Sequence, residues 1–547
     1  MPQDKTYDYI IIGAGSAGCV LANRLSEDKD TTVLLLEAGK WDRHPWLKLP
    51  LKFRDLAEDL RFNWGYDSEP EPQLDGRSIY IPRGKVIGGS SSINGMIYSR
   101  GHPSDYDHWR QLGLTGWGYN DVLPYFKRSE GHHGGDTEFH GAEGPLQVAR
   151  GDDHSKVHQA YLAAGKAAGH PVTDDLNGTM HEGFGPAEYT IGGGRRSSTA
   201  KAFLKPALAR PNLTVETEAQ ASRVIFENKR AAGVEFRQRG QMVTARAARE
   251  VVLSGGAFNS PHLMMLSGIG PADHLAANDI DIVHDAASVG QNLQDHFSVL
   301  VGYAARGLEE YANQLRLDQL TMAVLNWAIF GKGYLTTLPV GAISYVRTQP
   351  HLSAPDIEFL MTRMAPDAQI WVPGITKPKG GFMGCRVILL HPESRGSVTL
   401  ASNDPAQKPK IFHDYLAVEN DLITFRNGIK AARDVYAKEP VAGMVDQEYF
   451  PGPGVKTDAD IDAYIRETAS TIYHPVGTCR MGADTEAVVD EELRVNGVEG
   501  LRVVDASVMP TVIGGHTNAP TIMIAEKAAD FMRGRTRLAA LEPEMAI

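Results

Sequence analysis

Cysteine is scarce in this chain of 547 residues, which has only Cys19, Cys385 and Cys479. An odd, scattered set supplies no disulfide framework and suits a reducing compartment. None of the three stands in CxxC spacing, which argues against a zinc site. Long apolar runs are missing as well. The longest, Leu320 to Phe330, is interrupted by Asn326 and is too short to cross a bilayer. A buried helix is the expected reading of that run, with contact to a membrane surface as the alternative. Cationic residues are outnumbered, 55 Lys and Arg against 67 Asp and Glu, for a formal net charge of −12. That balance argues against nucleic acid as a partner. The first residues, Met-Pro-Gln-Asp-Lys, are polar and lead into a strand, so no signal peptide is expected. These absences together predict a cytoplasmic protein, with peripheral contact at the inner membrane face as the alternative. There is no long internal repeat and no low-complexity tract.

What is present points to a large folded enzyme. A 42% hydrophobic fraction is ordinary for a globular chain, and the length exceeds one simple core, so two domains are expected. Glycine is abundant, at 56 residues, in keeping with tight turns and close approach of backbone to a ligand.

Tyr7 to Ile12 reads as a buried strand, followed by Gly13-Ala14-Gly15-Ser16-Ala17-Gly18, a helix through Leu25, and a second strand Val33 to Leu36 ending in Glu37. This is βαβ order with GxGxxG at its first turn. Gly13 makes the turn, Gly15 lets backbone approach a pyrophosphate, and Gly18 lets helix pack on strand. The helix N-terminus faces the phosphates, and Glu37 stands where an acid accepts ribose hydroxyls. The motif alone does not separate NAD from FAD. Residues 39 to 82 are irregular and are expected to loop over the nucleotide. Next, Gly84 to Met96 (GKVIGGSSSINGM) sets two adjacent glycines before three serines, a backbone able to hug a ligand with N–H groups turned inward. Its apolar flanks Val86, Ile87, Ile93 and Met96 distinguish it from a flexible linker.

His132, His133 and His140 fall in a Gly-rich stretch and are expected in a solvated surface loop rather than at a metal. A helix is predicted near 158–168, and strands at 213–215 and 222–226. The strand 251–257 ends in glycines and leads into 260–270, read as a helix with Pro261 in its first turn and glycine at its stop. From about 303 to 463 short alternating strands appear (356–360, 385–390, 397–400), with helices at about 418–436 and 458–469. This texture predicts an antiparallel sheet backed by helices. The chain then passes through Tyr473-His474-Pro475 and the strand Leu501 to Ala506. It reaches Gly514-Gly515-His516-Thr517-Asn518-Ala519-Pro520-Thr521. Here Asn518 can cap a helix with Pro520 in its first turn. Polar 526, 527, 530 and 533 share one face, and Ile522, Ala525 and Ala529 lie on another.

Gly84 to Asp107, Gly256 to Gly270, Tyr473-His474-Pro475 and Asn518-Ala519-Pro520-Thr521 together resemble the signatures of the glucose–methanol–choline (GMC) oxidoreductases. The resemblance runs from about Tyr7 to Arg533. Within the family the chain looks most like bacterial choline and aliphatic alcohol dehydrogenases. The resemblance implies an α/β fold with an α+β second domain. A Rossmann-like FAD-binding domain would occupy residues 1–157, 203–302 and 464–547, the last part carrying the catalytic histidines. A substrate domain would occupy 158–202 and 303–463. It implies FAD contacts at Gly13, Gly15, Ser16, Ala17, Gly18, Glu37, Ala38, Gly84, Val86, Gly89, Ser90, Asn94, Gly95, Met96, Val224, Asp505, Ala506, Asn518 and Thr521. Some choline oxidases bond flavin covalently through a histidine where this chain has Ile93, so FAD is expected without a covalent link. Close bacterial relatives tend to carry Asn where this chain has His516.

Alcohol oxidation removes a hydroxyl proton and a hydride. A base near its working pH suits the first, and imidazole qualifies unshifted. By resemblance His474 is the base and His516 its partner on the substrate oxygen, with hydride going to flavin N5. The expected substrate is a primary alcohol. Electrons would pass to a quinone-like acceptor, a redox protein or O2. The alternatives are an alcohol oxidase making H2O2 and a lyase that keeps FAD without redox turnover, as in hydroxynitrile cleavage.

Overall fold

The computed structural model describes residues 5–151, 155–338, 340–378, 380–543 and 545. The polar start up to residue 4 lies outside them. Strand Thr6–Ile12 is flanked by Val33–Glu37 on one side and Gln241–Leu253 on the other, all parallel, with Ile10 opposite Leu34 and Val251. Leu213–Thr217 extends the sheet beyond Val33–Glu37, and Leu501–Val503 joins it in parallel beside Gln241–Leu253. The side chains Ile10, Ile11, Val33, Leu35, Val251 and Val252 are fully buried, as expected for parallel strands covered on both faces. The other half of Gln241–Leu253 turns antiparallel, pairing Arg230–Gln238, which pairs Ala219–Glu227.

Helix Ser16–Leu25 packs on this sheet and against helix Asn518–Met532, whose Met532 carbonyl accepts from Tyr9 Oη of the first strand at 2.9 Å. The polar stripe of the second helix is not solvated. Glu526, Lys527 and Asp530 are buried. Arg24 and Arg128 bridge Glu526 at 2.7 and 2.8 Å, Arg128 reaches Asp530 at 2.8 Å, and Lys527 Nζ donates to the Gly116 carbonyl at 2.6 Å.

The second sheet is antiparallel throughout. Its order is Val445–Phe450, Phe297–Ala305, Phe382–Leu389, Ile357–Thr362, Ala342–Val346, Gly183–Pro186, with Ser470–Thr471 also on Phe297–Ala305. Its first long strand starts at Phe297, ahead of the change of texture read at 303. Helix Glu419–Tyr436 backs it, burying Leu422, Phe425, Ile429, Ala432 and Tyr436 at helical spacing. Ser397–Thr399 does not join; it pairs only with Lys410–Phe412.

Two sequence readings are corrected. His133 is exposed, as a surface loop predicts, but His132 and His140 are not solvated: His140 is 2% exposed, bonded through Nδ1 to Glu130 at 2.7 Å and through Nε2 to Asp175 at 2.9 Å. His132 stacks on it with ring centroids 3.8 Å apart and bonds Glu188 at 2.7 Å. Glycines and histidines look polar in sequence, but here the carboxylates of Glu130, Asp175 and Glu188 satisfy the His132 and His140 rings. The apolar run is the second correction. Helix Leu317–Phe330 forms, but only Ala323 and Trp327 are buried.

Candidate active site

The dinucleotide end is built by backbone. Gly13 has φ +103, and a Cβ there would stand 2.4 Å from the Ser254 carbonyl oxygen, so only glycine serves both demands. A Cβ on Gly89 would fall 2.7 Å from Gly15 Cα; the Gly84–Met96 segment thus packs directly on the first glycine loop. Gly84 donates to Ser90 Oγ at 3.1 Å, and Asn94 to the Ser90 carbonyl at 2.9 Å. Asn94 Oδ1 accepts from Arg196 at 2.7 Å and from the Met96 amide at 3.1 Å. Met96 holds φ +59, a conformation that a methionine adopts only when its surroundings impose it. Val86 is buried, and Gly95 faces Phe53.

Glu37 ends its strand 6% exposed. Its carboxylate accepts from Ala14 at 3.0 Å and Gly39 at 2.8 Å. Burial pushes its pKa up to about 7, against the opposing pull of those amides. Ala17 and Gly18 bury against the sheet, and Ala38 follows Glu37 half-buried.

The C-terminal helix meets this cradle. Its capping residue is Thr517, not Asn518, and its opening has no side-chain cap; Asn518 Oδ1 instead accepts from Ser16 Oγ at 2.8 Å. Thr521 Oγ donates to the Thr517 carbonyl at 2.7 Å. Helix Ser16–Leu25 likewise opens at Gly15 without a side-chain cap. Asp505 binds Gly256 and Ser260 through one oxygen and Ser507 through the other, which fixes Ala506 beside the loop. Val224 stands apart. Its amide donates to Ser267 beyond the far end of helix Gly256–Leu266, about 16 Å of helix from the Ser254–Gly13 contact.

FAD fits this cradle. Two uncapped helix openings offer N–H groups and positive dipole ends to phosphate or anionic flavin. Ser254 Oγ and Arg196 Nη2 are buried without partners, as groups awaiting a polar ligand would be.

The histidines converge from two segments. The rings of His474 and His516 lie 4.7 Å apart at 81°. The His474 amide donates to Asp295 Oδ1 at 2.7 Å, and the preceding residue, Tyr473, is held at φ +73. His474 Nδ1 lies 2.9 Å from His296 Nδ1, and His296 Nε2 lies 2.9 Å from the Leu390 carbonyl oxygen. A carbonyl only accepts, so His296 Nε2 carries its hydrogen. Burial pushes the His296 pKa down to about 3, so the ring is neutral and its Nδ1 is bare. His474 must then donate from Nδ1. Burial, followed by the nearby His516 and His296 rings, also holds His474 well below the usual histidine range. A neutral His474 protonated on Nδ1 presents a bare Nε2.

His516 Nε2 lies 3.0 Å from Glu358 Oε1. Glu358 is fully buried, and its other oxygen has no partner. The loop carrying His516 is pinned from outside. The Gly514 amide donates to Asp105 at 2.7 Å, and Val512 to Gln294 at 3.1 Å. His391 holds the other Asp105 oxygen at 2.9 Å.

Asp295, His296 and Glu358 escaped the sequence reading. Asp295-His296 precedes an apolar strand, a signal that was legible. Glu358 alternates with Ile357 and Phe359, a pattern that puts it on a solvent face; here that face is the second sheet's side toward His516.

A nucleotide-binding parallel sheet, a substrate-facing antiparallel sheet and a histidine pair at their junction define a flavin-type oxidoreductase. Family models described as GMC oxidoreductase match residues 7–298 and 392–525. The chain is 43% identical over 539 residues to an oxygen-dependent choline dehydrogenase of Brucella ovis, covering 98% of this chain and 97% of that one. It is 44% identical over 543 residues to the mitochondrial choline dehydrogenase of Homo sapiens, covering 97% and 90%. Among solved structures, pyridoxine 4-oxidase from Mesorbium loti superposes with a TM-score of 0.85 at 32% identity, covering 97% of this chain and all of that one. A formate oxidase gives 0.90 at 27%, covering 98% and 99%. The chain belongs to the GMC oxidoreductase family and is an FAD-dependent oxidoreductase acting on CH–OH donors.

Proposed function

We propose that the chain oxidises a primary alcohol to its aldehyde, with His474 Nε2 taking the hydroxyl proton. The bare Nε2 left by the Leu390–His296–His474 hydrogen-bond chain is the observation that carries this reading. His516, held by Glu358, bonds the same substrate oxygen and steadies its charge as the proton leaves. Bound FAD supplies the hydride acceptor at N5. The uncapped opening of helix Asn518–Met532 offers N–H groups to the charge the cofactor then carries.

FAD is held noncovalently. Ile93 is buried among Leu47, Leu56, Phe62 and Val86, and an alkyl side chain has no nucleophile to offer. The contacts assigned to FAD are those brought together around Gly13, Glu37, Gly89, Asn94 and Asn518, with Val224 the weakest of the set by its position. Electrons leave to a quinone-like acceptor or to O2.

Choline is the first substrate to test, because the relatives from Brucella and Homo sapiens are named for it; neutral aliphatic, aromatic and polyol alcohols form the counter-panel. Anaerobic stopped-flow mixing should bleach the flavin with at least one of them. A flavin left oxidised by the whole panel, in an enzyme that cleaves a cyanohydrin, would establish the lyase reading instead. Reoxidation by O2 and by a quinone dye then identifies the acceptor.

A further inference from the structure

Helix Leu317–Phe330 presents its apolar side outward. Ala323 and Trp327 anchor it against Leu49 and Leu335, and Trp327 Nε1 donates to the Gly194 carbonyl at 2.9 Å. Around the rest of its circumference Met322, Leu325, Ile329 and Phe330 face solvent, the last two at 69% and 67% exposure. A second apolar segment is tied to the helix N-terminus. The Leu317 amide donates to the Trp371 carbonyl at 3.0 Å, Trp371 returns a bond to Leu315 at 3.2 Å, and its indole N–H donates to Ala312 at 2.8 Å. That segment exposes Ile370 and, at 80%, Ile375. Exposed apolar side chains occur singly on any surface, but two joined segments that both turn apolar side chains outward form a patch, and a patch marks an interface.

The rim of the patch is cationic. Arg195 lies over the Trp327 ring at 5.2 Å, Lys332 follows the helix, and Lys377 follows Ile375. Arg316 sits at the other end, its charge matched by Asp318 at 2.7 Å; Asp367 is a further acid nearby in the chain. No charged residue interrupts the helix between Asp318 and Lys332. Clustered cations are out of keeping with a chain of net charge −12. Two copies meeting at this patch would bring cationic rims together. An anionic lipid surface would instead match the rim while taking up the apolar side chains. The helix is too short to span a bilayer, and among the described residues no helix is long and apolar enough to do so. A helix that is apolar outward, with Trp and Lys on the adjoining segment, suits lying in the plane of a membrane interface.

We propose that helix Leu317–Phe330 and the Ile370–Lys377 segment form a docking surface that seats the protein on an anionic lipid bilayer. The docking does not depend on which substrate or acceptor the active site uses.

The test uses the full-length FAD-loaded enzyme and sedimentation with vesicles of neutral phosphatidylcholine or of phosphatidylcholine mixed with phosphatidylglycerol. The wild type should pellet with the anionic vesicles and be released by high salt. Ile329→Asp/Phe330→Asp should lower the partition coefficient on the order of 100-fold, with the flavin spectrum and dye-linked turnover in solution unchanged. Lys332→Gln/Lys377→Gln should weaken binding by about 30-fold, and only to anionic vesicles. A wild type that stays in the supernatant, or an apolar-to-Asp variant that pellets as the wild type does, overturns the proposal. So does a wild-type dimer that the Asp variant splits, which would make the patch a contact between copies. Binding is read without turnover, so its failure leaves the alcohol-oxidation reading intact.

Discussion

Replacing His296 by Leu tests whether the second-layer ring sets the state of the base. The substitution removes the acceptor for His474 Nδ1–H, now 2.9 Å away. A buried donor left without a partner costs about 1–3 kcal/mol. The ring escapes that cost by turning or by moving its hydrogen to Nε2, and either change withdraws the bare Nε2 from substrate. At about 1.4 kcal/mol per tenfold, flavin reduction should slow by roughly 5- to 150-fold. Loss of the base itself, in His474→Ala, should cost more, about 10²–10⁴-fold. His296→Asn keeps a side-chain acceptor where Nδ1 stood, and its reduction rate should stay within about fivefold of the wild type. The assay is anaerobic stopped-flow at 450 nm (roughly the flavin band), on preparations matched for FAD content. Leu and wild-type enzymes reduced at equal rates would refute the tautomer assignment. Leu and Asn variants equally slow, with flavin intact, would show that ring volume matters rather than the acceptor.

Glu358→Gln leaves an acceptor for His516 Nε2 but removes a charge-assisted bond, so the reduction rate should fall by about 5- to 10-fold with bound FAD unchanged; a larger loss with FAD missing would make Glu358 structural. Acid should destabilise the fold through His296. Its folded pKa of about 3 lies below its unfolded value of 6.5, so between those limits the unfolded chain binds a proton that the folded chain refuses. Stability is then lost as pH falls through that window, by about 2 kcal/mol at pH 5. The denaturant midpoint measured at pH 7 and pH 5 should shift less in His296→Asn than in the wild type. Acid precipitation should release yellow FAD into the supernatant; flavin retained by the pellet would contradict noncovalent binding.

The nucleotide layer was legible because its chemistry is local. Gly13 to Glu37 specifies a turn, a helix start and an acid within one βαβ unit, and backbone geometry needs nothing from afar. His474 was legible through its sequence neighbours. What sets its protonation was not, because His296 and the Leu390 carbonyl flank the paired ends of two strands far apart in sequence, Phe297–Ala305 and Phe382–Leu389. Glu358 hid behind strand alternation, which identifies a face but not whether that face meets water. The same limit misplaced Leu320 to Phe330 in the opposite sense: an apolar run reads as core, and only the tertiary structure shows Met322, Leu325, Ile329 and Phe330 exposed. Asn518 read as a cap because its residue type suits one, yet its side chain serves Ser16 instead.

That Ser16–Asn518 bond belongs to a larger clamp. The two helices with openings at the cofactor cradle come from opposite ends of the chain, and Arg24 of the first grips Glu526 of the second while Arg533 grips Glu27 in return. Buried ion pairs contribute little net stability against well-packed apolar substitutes, but an unpaired member is costly, so the pairs penalise every register but one. The loop bearing His516 runs directly into the clamped helix. A shift of that helix by one turn would leave Glu526 buried without its arginines and carry His516 about 5 Å away from His474. The polar stripe visible in the sequence at 526, 527 and 530 thus ties the position of the histidine pair to the position of the Gly13–Gly18 loop.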